Sequence, residues 1–133
     1  MESILLSIKP EYVQRIFAGT KQYEYRKRLP RENFDKIFVY ATYPIMKVVG
    51  EVSFIGLLSG SPTAIWEQTK ELSGISRAKY REYFRGCDIA YAFHLGEVTK
   101  YESPKLLSDF GISSPPQSFV YIDEQHYGNN IKL

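Results

Sequence analysis

The chain opens with an apolar run, Ile4 to Lys9 (ILLSIK), of a length suited to one buried strand, and Lys9-Pro10 ends it. Proline fits the first turn of a helix, where its missing N–H costs nothing. From Glu11 to Ala18, Tyr12, Val13, Ile16 and Phe17 fall at i, i+1, i+4 and i+5, predicting an amphipathic helix of about two turns. Gly19 is its expected left-handed C-cap. The next residues, GTKQYEYRKR, read as a charged strand, with Tyr23 and Tyr25 on one face and Gln22, Glu24 and Arg26 on the other. Leu29 to Asn33 is a turn. Lys36 to Thr42 (KIFVYAT) is a β-branched and aromatic strand closed by Tyr43-Pro44. Lys47 to Leu58 is a longer strand, in which Gly50 and Gly56 mark bulges or bends.

The period then changes. Ser61-Pro62-Thr63 is a helix-start signal before Ala64 to Leu72, and Gly74 stops that helix. Ser76 opens a second helix, RAKYREYF, ended by Gly86. Asp88 to Leu95 returns to strand alternation, and Tyr101 to Leu107, interrupted by Pro104, is a further strand-like piece. A rigid SSPPQS turn leads to the last strand, Phe119 to Ile122, and the tail from Asp123 to Leu133 is expected to fray. The predicted order is β-α-β-β-β-α-α-β-β-β. Short links favour antiparallel neighbours, and glycine-marked bends favour curling. The expected fold is therefore α+β: a small curled, mainly antiparallel β-barrel with flanking helices. A chain of 133 residues suits one compact domain, taken as 1–124 with a tail at 125–133.

Composition narrows the function. Apolar residues make up 44% and charged residues 24%, with a net charge of only +2, too mild to argue for nucleic acid by itself. The charge is nevertheless uneven. Lys21, Arg26, Lys27, Arg28 and Arg31 are five of the 17 Lys and Arg, and Glu24 is the one acid among residues 21–31. Eleven tyrosines suit half-buried strands first, and a surface that stacks on flat ligands second. Cys87 is the single cysteine, so an intramolecular disulfide and a thiolate zinc cluster are excluded. The N-terminal run is too short for a signal or membrane segment, so a cytoplasmic protein with no membrane contact is expected.

Catalytic signatures are sparse. The chain has no P-loop, no G-x-G-x-x-G and no nucleophile elbow. His94 reads as a satisfied strand residue, His126 as exposed in the tail, and Cys87 as a small buried side chain. No Cys-His catalysis, metal site or cofactor is expected. What remains is the charged strand. Lys and Arg guarding a solvated edge explain Arg26-Lys27-Arg28. They explain Lys21 and Glu24 less well. Lys21 enters a strand just after a helix-capping glycine, where a turn can aim it inward, and Glu24 shares a face with Arg26, so the two can pair. On spacing alone the solvated edge is the simpler reading, and a site stays open beside it.

The stretch SIKPEYVQRIFAGTKQYEYRKR resembles the opening of the ASCH domain, a relative of the PUA domains. That family carries a helix followed by G-x-K-x-x-E-x-R, matched here by Gly19, Lys21, Glu24 and Arg26. The likeness continues through VYATYP, VVGEV and PPQSFVYI and so spans roughly residues 4–122. It implies a PUA-like barrel with a cleft beside the first helix and an RNA or nucleotide-like ligand, with modified bases held in the cleft by related groups. Carried over, Lys21 is a hydrogen-bond donor or catalytic cation, Glu24 an acceptor or base, and Arg26 an orienter or phosphate contact. Gln117 and Ser118 would help close the cleft, Tyr40 and Tyr43 would stack on a base, and Lys27, Arg28 and Arg31 would steer phosphate.

The resemblance also implies alternatives. Some members remove the acetyl group of acetylcytidine and others are reported to cut RNA, which would make Lys21 and Glu24 catalytic groups of a metal-free hydrolase. In the small deacetylating type a threonine nucleophile occupies the position of Glu24, so this chain departs from that pattern. With a carboxylate beside it, Lys21 is expected to keep a high pKa. A third possibility is a small-ligand-sensing regulatory domain with an unknown protein partner. The binding module is the leading expectation, with salt-dependent affinity set by roughly 3–5 phosphate contacts.

Overall fold

The computed structural model describes residues 2–31 and 33–122, so His126 and the expected tail at 125–133 lie outside the described residues. Six strands and three α-helices alternate as β1 (Glu2–Ile8), α1 (Pro10–Ala18), β2 (Tyr23–Arg26), β3 (Phe34–Ala41), β4 (Lys47–Gly60), α2 (Pro62–Thr69), α3 (Arg77–Tyr83), β5 (Ala90–Lys105) and β6 (Phe119–Ile122). The strands form one sheet in the order β2-β5-β4-β3-β1-β6. The β1–β3 pair is parallel and every other pair antiparallel.

Two expectations are corrected. The predicted strands at Asp88–Leu95 and Tyr101–Leu107 are one strand, β5, because Gly96 carries the backbone past β4 instead of breaking it. A Cβ at Gly96 would lie 2.5 Å from Ser53 Oγ and 2.7 Å from Ile55 Cγ2, so any other residue here would force those side chains to shift. The barrel is also not closed by its backbone, since β2 and β6 are the two ends of the ladder. A side chain spans the gap instead. From β2, the Arg26 guanidinium donates to Ser7 O of β1 at 3.1 Å and to Ser118 Oγ, just before β6, at 3.2 Å.

Local chemistry explains the elements. β1 reads as a continuous apolar run because both of its faces are covered. Ile4, Leu6 and Ile8 enter the main core with Val13 and Ile16 of α1, while Leu5 enters a second cluster with Phe38, Tyr40 and Phe110. Gly19 ends α1 at φ 84°, its N–H bonded to the carbonyls of Arg15 and Ile16. Ser61 and Ser76 cap α2 and α3 through their side-chain oxygens. Register shifts at Gly50 and Gly56 bend β4 against β5, as their placement predicts. A third cluster, of Tyr25, Ile65, Tyr80, Phe84, Ala90 and Ala92, fixes α2 and α3 beside β2.

Tyr25 makes that third cluster sensitive to pH. Thr69 spends its one hydroxyl proton on Ile65 O at 2.7 Å, so the 2.6 Å bond between the hydroxyls of Tyr25 and Thr69 is donated by Tyr25. Burial pushes the Tyr25 hydroxyl up to about 12. Between pH 10 and 12 the folded state keeps a proton that the unfolded chain has released, so stability falls as pH rises through that window. Tyr25→Phe is expected to lose about 1 kcal/mol at pH 7 with the hydrogen bond. Wild type should then lose roughly 2–3 kcal/mol more than the variant by pH 12, as read from urea midpoints across pH. Parallel curves for the two proteins above pH 10 would contradict this assignment.

Candidate functional site

A cleft of about 460 Å³ opens where the first turn of α1, the end of β1, β2 and α3 meet. Lys21, Glu24 and Arg26 line its floor, Tyr12 and Tyr83 face it from α1 and α3, and Ser7 and Lys9 lie along its rim. The strand pattern requires this placement for part of the site. Alternation along β2 puts Glu24 and Arg26 on one face, toward the cleft floor, while Tyr25 packs into the helix-covered cluster and also borders the cleft.

Lys21 is 3% exposed, so the turn after Gly19 does aim it inward. Its ammonium donates to Ser73 O at 2.8 Å, stands 3.6 Å from Glu24 Oε1, and lies 5.4 Å and 4.9 Å from the ring centres of Tyr12 and Tyr25. Arg26 meets the other carboxylate oxygen, Glu24 Oε2, at 2.6 Å. Glu24 thus sits between two cations, and all three side chains are nearly buried. The Arg26 Nε–H is buried without a hydrogen-bond acceptor. An orphaned donor beside a cleft floor is suited to donate to a ligand oxygen or ring nitrogen.

The expected high pKa of Lys21 is overturned. Burial lowers it, and the charges of Arg26 and Arg15 act in the same direction against the opposing pull of Glu24. The carboxylate was legible in the sequence, but the depth of the ammonium was not. Gly74 explains that depth. It sits at φ +63°, and a Cβ there would overlap Lys21 Cβ and lie 2.7 Å from Lys21 Cγ. The Gly74 backbone is therefore packed flat on the lysine stem, and its carbonyl also accepts from Arg15 Nη1 at 2.8 Å.

The other expected site residues separate into groups. Ser118 joins the site through Arg26. Lys27 stands at its edge, 4.8 Å from the ring centre of Tyr83. Tyr40 is 1% exposed and packed in the second core cluster, so no face of its ring is open to a base; it is a core residue because β3 is covered on both sides. Tyr43 and Gln117 line a neighbouring depression rather than the cleft. Arg28 and Arg31 are exposed and outside the cleft lining, and Arg31 contributes its backbone N–H to Tyr121 Oη at 2.6 Å. His94 stacks on Tyr23 at 4.7 Å. Cys87 is half-buried rather than fully buried, at the border of the third cluster.

Sequence reasoning missed Ser7, Tyr12, Ser73, Lys79, Glu82 and Tyr83. Tyr12 carried a usable signal, since it shares the apolar helix face but stands nearest the start of α1. The rest are brought in by packing across long sequence separations. Among the described residues, no three His, Cys, Asp or Glu side chains gather where they could share a metal ion, and no helix is long and apolar enough to cross a membrane.

Residues 6–105 match the ASCH domain family model. The "ATP synthase subunit alpha" of Ureaplasma parvum serovar 3 is 32% identical over 122 residues, covering 91% of this chain; the chain spans only 15% of that protein's length. An "ASCH domain-containing ribonuclease" of Zymomonas mobilis is 27% identical over 136 residues, covering 97% of this chain and 90% of the relative. The crystal structure of ASCH from Zymomonas mobilis superposes with a TM-score of 0.87 at 26% identity, covering 98% of this chain and 93% of that one.

Proposed function

The chain belongs to the ASCH domain family, and from that premise we propose that it is an RNA-binding module whose cleft holds one nucleotide over Lys21, Glu24 and Arg26. The observation that carries this reading is the buried triad. Two cations flank one carboxylate on the floor of a nucleotide-sized cleft, and the Arg26 Nε–H beside them is unsatisfied. Such a floor offers donors to a base edge or phosphate oxygen and one acceptor to a base N–H. Lys27 at the rim adds attraction for phosphate, and Ser118 supplies a hydroxyl next to Arg26. The PUA-like curl belongs to the same proposal, with the Arg26 bridge standing where a closed barrel would have backbone pairing.

A second reading, RNA cleavage, is favoured by the relative named as a ribonuclease and by the lowered pKa of Lys21. In it the ribose 2′-oxygen attacks its own phosphorus and the 5′-oxygen leaves, giving a cyclic phosphate. Glu24 takes the 2′-hydroxyl proton, and Lys21 delivers one to the leaving oxygen.

The test is fluorescence anisotropy with labelled single-stranded RNA, followed by mass analysis of the same mixtures. Wild type is expected to bind with strong salt dependence, and Lys21→Ala to bind at least about 10-fold more weakly, as expected for a hydrogen bond to a charged group. Lys21-dependent cyclic phosphate would establish the second reading. Acetylcytidine in a parallel reaction tests amide hydrolysis by the release of cytidine. Absence of both binding and turnover refutes the RNA assignment and returns the cleft to a small-ligand role.

A further inference from the structure

The cleft does not end at its rim. Ser7 and Lys9 also line a second depression of about 370 Å³, so the two cavities meet across that ridge. The far side is walled by Thr42, Tyr43, Met46, Pro115, Pro116 and Gln117. Its chemistry is unusual for a turn. Turns are ordinarily polar, yet residues 43–46 expose Tyr43 by 81%, Ile45 by 42% and Met46 by 50%. Met46 holds φ 54°, in the left-handed region that non-glycine residues enter at a cost. The Tyr43 side chain is the most exposed large hydrophobic among the described residues, so its ring is open to solvent.

Two features say what would cover this surface. One is its continuity with the triad cleft. The other is charge at the junction: Lys9 is exposed between the cavities, and among the described residues no carboxylate pairs with it. An open aromatic ring, a cation and then a polar-floored cleft is the sequence of features that a single strand of nucleic acid engages as base, phosphate, base. Ser7 fixes the geometry of the ridge. Its hydroxyl donates to Pro116 O at 2.7 Å and its N–H to Ser118 O at 3.1 Å, so the far wall is tied to the same strand as the rim.

Resting on the RNA-binding reading above, we propose that this depression is a second nucleotide site. The ligand is then single-stranded RNA spanning at least two nucleotides, with the flanking base stacked on Tyr43 and the linking phosphate on Lys9. Thr42 and Gln117 offer that base a hydroxyl and an amide. The Lys21–Glu24–Arg26 cleft selects the first nucleotide, and the Tyr43 platform makes the protein a reader of strands rather than of free nucleotides.

The experiment uses the whole protein with a pool of labelled six-nucleotide single-stranded RNAs, and an equimolar mixture of the four nucleoside 5′-monophosphates as competitor. The hexamers are expected to bind more tightly than the mononucleotides. Tyr43→Ala, a change at an exposed side chain, should weaken hexamer binding roughly 10-fold, the loss of one base–aromatic stack. It should leave competition by mononucleotides unchanged, while Tyr43→Trp restores the hexamer affinity. Lys9→Ala should flatten the salt dependence by about one phosphate contact. If Tyr43→Ala binds hexamers as wild type does while Lys21→Ala does not, the second site is refuted and the cleft reading stands. If wild type binds no RNA, both fall together.

Discussion

Glu24→Ala is expected to lower the unfolding free energy by about 3–5 kcal/mol, the range for removing one partner of a buried ion pair. The geometry places this substitution at the severe end of what a single residue does. Lys21 and Arg26 approach opposite oxygens of the same carboxylate, and their side chains are 2% and 11% exposed. Without Glu24, two cations face each other away from water. Arg26 keeps Ser7 O and Ser118 Oγ, and Lys21 keeps Ser73 O, so neither moves readily to solvent. One relief remains. Lys21, already lowered by burial, can release its proton, and removal of the carboxylate lowers it further. In the window between that lowered value and the ordinary lysine value, the unfolded chain binds more protons than the folded one. The variant should therefore regain stability as pH rises from neutral toward that ordinary value. Urea midpoints of wild type, Glu24→Ala and Glu24→Gln at pH 7 and pH 9 measure both effects. A Glu24→Ala protein within about 1 kcal/mol of wild type at pH 7 would mean that water reaches the triad and the floor is not buried.

Gly74→Ala should be nearly as damaging, through space rather than charge. The residue must keep φ +63°, where an L side chain is strained by about 1–2 kcal/mol. The added methyl would also overlap the Lys21 stem, and its third-nearest neighbour, at 3.0 Å, is Lys21 Cα, which belongs to the backbone and cannot swing away. Overpacking of this kind costs a further 1–3 kcal/mol or so, for a total of about 2–5 kcal/mol. The more telling effect is on the cleft. Lys21 can accommodate the methyl only by shifting its whole stem, which draws the ammonium off Ser73 O and away from Glu24. RNA affinity should fall about as far as in Lys21→Ala, even at temperatures where the variant is folded. Retained affinity with lowered stability would show that the ammonium position is not set by Gly74.

Short-range chemistry was legible in the sequence. Gly19 needs a left-handed cap, Ser61 and Ser76 offer side-chain oxygens to free amides, and Gly50 and Gly56 interrupt a strand that must bend; each acts on its immediate neighbours. The same local logic allowed an inward Lys21 and a Glu24–Arg26 pair, both of which the structure has, although spacing alone favoured a solvated edge. Long-range pairing was not legible. β2 pairs with β5, about seventy residues away, and β1 takes β3 as a parallel partner, so the expectation of sequential antiparallel neighbours fails there. The fate of Tyr40 shows the same limit. Alternation gives the face of a strand but not whether both faces are covered, and here both are. The cleft wall from Ser73 to Tyr83 lies more than fifty residues from Lys21 and was invisible for that reason.

The place of β1 in the sheet has a consequence for how the molecule is made. It precedes every other described strand in the chain, yet its two neighbours are β3 and β6, and β6 is the last described strand. Until Phe119–Ile122 emerge, Ile4, Leu5 and Leu6 have an unpaired backbone edge, and Arg26 lacks Ser118 as its second anchor across the seam. Loop closure over most of the chain must precede the contacts that reward it, so assembly is expected to be slow and to leave an apolar edge open while it proceeds. A ribosome making this domain therefore holds an unfinished cleft until Ser118 and the strand after it have emerged.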